Sequence, residues 1–294
     1  MISRKLIILC CMICFLLTAC QTTTISETPT SRPTLTSTVK LSPTPESILT
    51  SVPASIMTSS PIEEAIPEFT ASPEPELAES IISGIREDIE ASDGLYLVGT
   101  YYSPVDIPPP WPGVILLHML WSDRTTWDDY ARQLASAGYA VFALDMRGHG
   151  ETGGSLNWEL AENDIQQIWN NLSTKPDIDP DRMALVGASI GANMALIAGA
   201  NEKGVRTVVL LSPGLDYAGV KTEAAMEAYG DRPVLIVASQ EDTYSADSSR
   251  KLEEIAIGDV KLVMYQDAGH GIHMFAGDTG LGELIFEWLD VYLE

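Results

Sequence analysis

Cysteine is absent from most of the chain, because the only four among 294 residues are Cys10, Cys11, Cys14 and Cys20. The rest of the chain therefore has neither a disulfide framework nor a thiolate metal site. Positive charge is also scarce, with 17 Lys and Arg against 41 Asp and Glu and a formal net charge of -24. With so few Lys and Arg side chains, the protein cannot displace the counterions that surround a nucleic acid backbone. We therefore do not expect a nucleic acid partner.

A long hydrophobic run is lacking too. The apolar stretch Leu6–Leu17 is shorter than the ~20 residues that span a bilayer as a helix. It follows Arg4 and Lys5 and ends in Leu-Thr-Ala-Cys at residues 17–20, the outline of a signal peptide over residues 1–20. The last four residues resemble the lipobox of bacterial lipoproteins, which implies that Cys20 becomes the lipidated N-terminus. An ordinary secretory signal with an incidental cysteine is the alternative.

Residues 21–80 have almost no aromatic residues and no apolar periodicity, and Thr, Ser and Pro make up about half of them. Such a segment cannot bury enough surface to offset its ordering entropy, so we predict a disordered tether. Acyl chains on Cys20 would then hold the protein on the outer face of a bacterial membrane. The globular domain would occupy residues 84–294.

In residues 84–294, short aliphatic runs alternate with helical patterns, which predicts an α/β fold. The apolar runs predict strands buried on both faces at Val114–Leu117, Ala140–Leu144, Met183–Val186, Val205–Leu211, Val234–Ala238 and Val260–Tyr265. Helical spacing occurs at Trp127–Ala137, Glu159–Leu172, Ile190–Ala200, Ala246–Ile257 and Leu281–Leu293. We therefore expect a mostly parallel central sheet with helices on both faces. Ile85–Ile89 and Tyr96–Tyr102 flank Ser92-Asp93-Gly94 and predict an antiparallel hairpin at one edge.

The strongest motif is Gly-Ala-Ser-Ile-Gly at residues 187–191, between a predicted strand and a predicted helix. On such a tight turn the hydroxyl of Ser189 is forced outward, and only small flanking residues tolerate the crowded backbone. Ser189 is therefore the candidate nucleophile. A serine hydroxyl needs a base to take its proton, so one of the four histidines must lie nearby.

His270 is the best candidate base, because it follows the last predicted strand in the glycine-flanked loop Asp-Ala-Gly-His-Gly at residues 267–271. His273 lies in the same loop and is the alternative, although packing or capping suits it better. His118 and His149 are expected to shape loops.

The imidazole needs a carboxylate that fixes its tautomer and stabilises the imidazolium. Asp242 follows the predicted strand Val234–Ala238 and would lie at the same sheet edge as Ser189 and His270. Its neighbour Glu241 and the more distant Asp216 are rivals for that role.

The domain resembles the α/β-hydrolase family, of the lid-poor esterase and dienelactone-hydrolase-like kind. The resemblance is carried by the turn around Ser189, the Asp242 loop, Ala-Gly-His-Gly at 268–271 and Asp-Met-Arg-Gly-His-Gly at 145–150. It implies an α/β-hydrolase fold with minimal or no cap. It also implies a Ser-Asp-His triad in that chain order.

The family also places an oxyanion hole at the turn after the first central strand. The backbone N–H of Ile190, directly after the nucleophile, would supply one donor. By resemblance, Leu120 supplies the other. Met119 stands where the family usually has glycine, so the Met119 N–H is an alternative donor.

The predicted function is a serine hydrolase that cleaves carboxylic esters of small or medium acyl chain through an acyl-enzyme. Only about twenty residues separate Leu211 from Pro233, enough for a loop and one short helix near Thr222–Ala228. That is too few for a helical lid, so the site should be open. Amide or peptide, thioester and perhydrolysis chemistry are alternatives, as is a tethered binding protein without catalysis. No metal or organic cofactor is predicted, since the triad already accounts for the His and carboxylate positions and no H-E-x-x-H spacing occurs. The expected partner is a small-molecule ester, and a monomer is the default oligomeric state.

Overall fold

The structure is a computed structural model, and it describes residues 82–276 and 279–294. The predicted signal peptide, the lipobox residue Cys20 and the predicted tether at 21–80 lie outside the described residues. Among the residues that are described, no helix is both long and apolar enough to cross a bilayer.

The described residues form ten strands and six helices. The strands are β1 (Ile85–Glu90), β2 (Tyr96–Tyr102), β3 (Trp111–Leu117), β4 (Ala140–Leu144), β5 (Ile178–Ala188), β6 (Val205–Leu211), β7 (Asp216–Tyr217), β8 (Val220–Lys221), β9 (Val234–Ser239) and β10 (Val260–Tyr265). The helices are α1 (Asp128–Ser136), α2 (Trp158–Ser173), α3 (Ile190–Asn201), α4 (Glu223–Tyr229), α5 (Thr243–Ile255) and α6 (Leu281–Leu293). Short 3₁₀ turns occupy Arg124–Trp127 and Gly271–Phe275.

Eight strands form one sheet in the order β1-β2-β4-β3-β5-β6-β9-β10. The hairpin β1–β2 and the pair β2–β4 are antiparallel, and the remaining pairs are parallel. This confirms the predicted mostly parallel sheet with an antiparallel hairpin at one edge. The carboxyl ends of β3, β5, β9 and β10 lie at one edge of the sheet, where ligands bind in open α/β sheets.

Helices cover both faces of the sheet, as predicted. Along β3, Ile115 and Leu117 belong to a core cluster with residues of α2, α3 and α5, whereas Val114 and Leu116 pack with residues of α1 and α6. All four side chains are at most 1% exposed. Both faces of the strand are therefore buried. This explains why the sequence has continuous apolar runs rather than an alternation of apolar and polar residues.

The connection between β6 and β9 is short. It holds the two-residue strands β7 and β8, which pair with each other, and the helix α4. The sequence predicted the helix at Thr222–Ala228, close to its observed position, but not the small hairpin before it. Two-residue strands leave no periodicity to detect.

Candidate active site

Ser189 lies on the tight turn between β5 and α3, with φ 55° and ψ −119°. A positive φ is strained for a residue with a side chain, and such strain concentrates at functional sites. The turn depends on its glycines for close backbone approach. A Cβ on Gly187 would lie 2.1 Å from the Gly191 carbonyl oxygen, and one on Gly191 would lie 2.4 Å from that of Leu117. The Ser189 N–H donates to the Leu211 carbonyl oxygen at 2.8 Å, which holds the turn on β6.

His270 and Asp242 lie side by side at the same sheet edge. Nδ1 of His270 is 2.5 Å from Oδ2 of Asp242, and 35% and 20% of their side chains are exposed. Asp242 sits between β9 and α5, while His270 follows β10. With Nδ1 engaged by the carboxylate, Nε2 is the ring nitrogen left to exchange a proton.

The two rival carboxylates have other partners. Oε1 of Glu241 accepts a hydrogen bond from the Gly269 N–H at 2.6 Å, and its Oε2 accepts one from the Ser239 hydroxyl. The Ser239 hydroxyl and then the Gly269 N–H hold the pKa of Glu241 below its usual value. Asp216 accepts from the Gly219 N–H at 2.8 Å in the small hairpin. The structure therefore brings Asp242, and neither rival, to His270.

The loop that carries His270 packs on the turn that carries Ser189. A Cβ built on Gly271 would lie 3.8 Å from the Ser189 backbone nitrogen. Within the described part of the chain, however, no hydrogen bond joins the Ser189 hydroxyl to the His270 ring. Catalytic hydrogen bonds in free enzymes are often long and tighten only with substrate, so this geometry is compatible with a nucleophile and its base.

His273, the alternative base, lies in the same loop as His270 but does not contact Asp242. Its side chain is exposed, and its backbone N–H donates to the His270 carbonyl oxygen at 3.1 Å. Of the two histidines in this loop, only His270 is bonded to Asp242.

Sequence reasoning missed Ser212 and Tyr217. The Ser212 hydroxyl accepts from the Gly271 N–H at 2.9 Å and so fixes the loop beside His270. The Tyr217 ring stands perpendicular to the His270 ring, with centroids 6.2 Å apart, and its hydroxyl lies 2.8 Å from that of Ser245. Burial raises the pKa of Tyr217 to about 12, so the phenol stays protonated at neutral pH. The sequence could have indicated Ser212, because this residue directly follows β6 and so lies at the same sheet edge.

The turn after β3 contains the predicted oxyanion donor Leu120. The Ser122 N–H donates to the Met119 carbonyl oxygen at 3.2 Å and closes this turn. Among the described residues, neither the Met119 N–H nor the Leu120 N–H has a hydrogen-bond acceptor. Ile190, the other predicted donor, opens α3 directly after Ser189. Both Met119 and Leu120 thus keep an N–H available for a ligand.

His118 holds this turn in place. Its Nε2 accepts from the Met146 N–H at 3.0 Å, so Nδ1 carries the proton and donates to the Met119 carbonyl oxygen at 2.8 Å. Burial lowers the pKa of His118 to about 4. Both ring nitrogens are in use, so this histidine shapes the loop, as predicted.

The His118 ring should make the domain acid-sensitive. An unfolded chain protonates histidine near pH 6.5, whereas folded His118 protonates only near pH 4, so the unfolded state binds more protons between these values. The free energy of unfolding should therefore fall as pH drops from 7 to 4, by about 3 kcal/mol from this group. Urea unfolding at several pH values measures the effect, and His118→Gln should have a shallower slope. Equal slopes for the two proteins would contradict the assignment.

The motif at residues 145–150 is structural. Asp145 is fully buried and accepts from the backbone N–H groups of Arg124 at 2.7 Å and Glu151 at 2.8 Å, besides its ion pair with the Arg124 side chain. A Cβ on Gly150, where φ is +48°, would lie 2.2 Å from the Asp145 carboxylate. The Nδ1 of His149 is 3.2 Å from the Arg147 carbonyl oxygen, so this histidine also holds a loop.

No cluster of three or more His, Cys, Asp or Glu side chains suited to a metal ion occurs in residues 82–276 and 279–294.

Comparisons with known proteins agree with this fold. The family model Hydrolase_4, described as serine aminopeptidase S33, matches residues 109–229, which include Ser189 but neither Asp242 nor His270. An uncharacterized protein of Mycobacterium tuberculosis is 29% identical over 144 residues, 49% of this chain and 50% of that protein. The thiohydrolase apmlB of Arthrinium phaeospermum is 30% identical over 144 residues, 44% of each chain. The chain thus spans about half the length of the curated relatives it matches.

Solved structures are similar over most of the described domain. An acetyl xylan esterase from Paenibacillus sp. R4 matches with a TM-score of 0.65 and 16% identity, over 74% of this chain and 86% of that one. The dienelactone hydrolase of Anabaena variabilis matches with a TM-score of 0.59 and 20% identity, over 73% of this chain and 100% of that one. At these identities the likeness is one of fold. Together with the sheet order and the turn at Ser189, it shows that the chain has the α/β-hydrolase fold.

Proposed function

We propose that this chain is a serine hydrolase that cleaves carboxylic esters of small or medium acyl chain. The observation that carries the proposal is the 2.5 Å contact between Asp242 and His270, at the sheet edge that also holds the strained Ser189. A carboxylate at this distance fixes the imidazole tautomer and stabilises the imidazolium. Nε2 of His270 would thus act as the base for the Ser189 hydroxyl.

In the reaction, Ser189 Oγ attacks the ester carbonyl carbon while His270 takes the hydroxyl proton. The tetrahedral oxyanion receives hydrogen bonds from the Ile190 N–H and from the Leu120 N–H, with the Met119 N–H as the alternative second donor. The carbon–oxygen bond to the alcohol then breaks, and His270 returns the proton to that alcohol. Water, deprotonated by His270, hydrolyses the acyl-enzyme and restores Ser189.

The short connection between β6 and β9 supports small or medium acyl groups. It contains only β7, β8 and α4, too little chain to bury a long acyl tail. The net charge of -24 disfavours anionic substrates at long range, an effect that salt screens.

Cleavage of an amide by the same residues is the second candidate. The family model that matches residues 109–229 is described as a serine aminopeptidase, and the net negative charge would attract a substrate ammonium group. Esters and amides with the same acyl group, compared as substrates, distinguish the two functions.

We propose further that lipidated Cys20 anchors the chain to the outer face of a bacterial membrane, with residues 21–80 as the tether. The motif at 17–20 and the Thr, Ser and Pro content of the tether support this location. The hydrolase would then act as a monomer on small esters outside the cytoplasm.

One experiment tests both proposals. The full-length chain, produced in a bacterium and treated with a fluorophosphonate, should gain one adduct that maps to Ser189. The Ser189→Ala variant should gain none. The intact mass should also show removal of residues 1–19 and addition of acyl chains at Cys20. A folded protein that takes up no label would overturn the hydrolase assignment, and an unmodified Cys20 would overturn the anchor.

A further inference from the structure

Trp121 has a backbone conformation that is unfavourable for a residue with a bulky side chain. Its φ is +62°, a left-handed backbone that is an outlier for a bulky residue, and 86% of its surface is exposed. An exposed indole gains little from burial, and glycine or asparagine would adopt this backbone more easily. Strain of this kind persists only where the surrounding structure imposes it, and it concentrates at ligand sites.

The position of Trp121 places it at the rim of the candidate active site. It follows Leu120, the proposed oxyanion donor, inside the turn that the Ser122 N–H closes onto the Met119 carbonyl oxygen. The strand end before this turn packs on the nucleophile turn, since a Cβ on Gly191 would lie 2.5 Å from the His118 carbonyl oxygen. The Trp121 backbone thus lies beside the proposed oxyanion donor, in a turn that adjoins the one carrying Ser189.

One aromatic ring, that of His149, lies beside the indole. The centroid of the His149 ring lies 6.5 Å from that of Trp121, and the His149 ring also packs near those of His118, at 4.9 Å, and Trp158, at 6.1 Å. His149 is 7% exposed, and its Nε2 has no hydrogen-bond partner among the described residues. Because Nδ1 faces the Arg147 carbonyl oxygen, Nε2 is the acceptor nitrogen.

We propose that Trp121 binds a ring in the alcohol portion of the substrate, with a flat apolar face of that ring lying against the indole. The inference rests on the proposed function: because the acyl group is small or medium, a ring must belong to the alcohol. An aryl ring and a sugar ring both offer such a face. The two sources can be separated by experiment.

The test compares the full-length wild type with Trp121→Gly and Trp121→Phe on ethyl acetate, phenyl acetate and a singly acetylated methyl pyranoside. Trp121→Gly should lower kcat/KM about two- to tenfold on a ring-bearing ester, mainly through a higher KM, and leave ethyl acetate unchanged. A loss confined to phenyl acetate identifies an aryl ring, and one confined to the pyranoside identifies a sugar. Trp121→Phe should recover much of the loss, because it keeps an aromatic face.

Stability provides the second measurement. Glycine relieves the left-handed strain, so Trp121→Gly should unfold at the same or a higher urea concentration than wild type. Asp106 is a matched control, because it has the same φ of 62° and is exposed in the loop before β3, at the opposite edge of the sheet. Asp106→Gly should likewise keep or raise stability, and it should leave all three rates unchanged.

Three results would overturn the inference. They are an equal loss on ethyl acetate, no loss on either ring-bearing ester, and a marked fall in stability of Trp121→Gly, which would make Trp121 a structural residue. If fluorophosphonate labels the wild type and Trp121→Gly has wild-type rates, only this inference fails. If the wild type neither takes up the label nor hydrolyses any of the esters, the proposed function fails and this inference fails with it.

Discussion

The Ser189→Ala variant should hydrolyse esters about 10⁴- to 10⁶-fold more slowly than the wild type. Without Oγ no acyl-enzyme can form, and His270 and Asp242 have no hydroxyl to activate. The residual rate would come from water attacking an ester held by the oxyanion donors. Initial rates on phenyl acetate at saturating substrate concentration measure the change.

The same variant should fold normally. Alanine keeps the Cβ, so the strained backbone at φ 55° is unchanged, and the 2.8 Å bond from the residue 189 N–H to the Leu211 carbonyl oxygen remains. We expect the free energy of unfolding to change by less than about 0.5 kcal/mol. Ser136→Ala, at an exposed position of α1, is a matched control that should retain full activity. Undiminished hydrolysis by Ser189→Ala would mean that another group performs the chemistry.

Much of the fold could be predicted because the sheet is buried on both faces. Ala140–Leu144 was predicted with its observed bounds, since a strand between two helical layers needs an unbroken apolar run. Val205–Leu211 and Val260–Tyr265 were also predicted with their observed bounds, although the second is only partly buried. Two strands begin earlier than predicted: β3 begins at Trp111 rather than Val114, and β5 extends from Ile178 to Ala188 although only Met183–Val186 was predicted. The first half of β5 contains Pro180 and charged residues that are partly exposed, so its pattern is that of a loop.

Within the candidate site, only the residues that directly follow a strand could be predicted from the sequence. Ser189, Asp242 and His270 were predicted to lie together because each follows a parallel strand, and parallel strands bring their carboxyl ends to one edge. The choice of Asp242 over Glu241 was not decided by sequence, since adjacent carboxylates on one loop differ only in side-chain direction. Tyr217 was missed because it lies in a hairpin too short to predict, and its contact with His270 depends on tertiary packing.

Glu241 illustrates what the structure adds to the sequence. Its carboxylate accepts from the Gly269 N–H and the Ser239 hydroxyl, and the Ser239 oxygen accepts in turn from the Ala268 N–H at 2.8 Å. These bonds connect the end of β9 to the loop before His270. Glu241 thus positions the loop that carries His270, whereas Asp242 contacts the His270 ring itself.

The different contacts of Asp242 and Glu241 lead to a second prediction: Asp242→Asn should lower kcat by about 10⁴-fold. The same change causes a loss of this size in a serine protease triad. The asparagine amide would present an N–H or a neutral oxygen to Nδ1 of His270, which favours the wrong tautomer and no longer stabilises the imidazolium. Glu241→Gln should lower kcat by less than about tenfold, since the amide oxygen still accepts from the Gly269 N–H. Steady-state rates of both variants on one ester, with fluorophosphonate labelling rates alongside, measure the contrast.

The paired variants differ by one position and carry the same chemical change, so each controls for the other. Both remove one negative charge from the same loop, and a general electrostatic effect would therefore lower both rates alike. A large loss in Glu241→Gln together with a small one in Asp242→Asn would transfer the catalytic carboxylate to Glu241 and require the loop to rearrange in solution. Large losses in both would mean that the position of the loop, rather than the Asp242–His270 contact, limits the reaction.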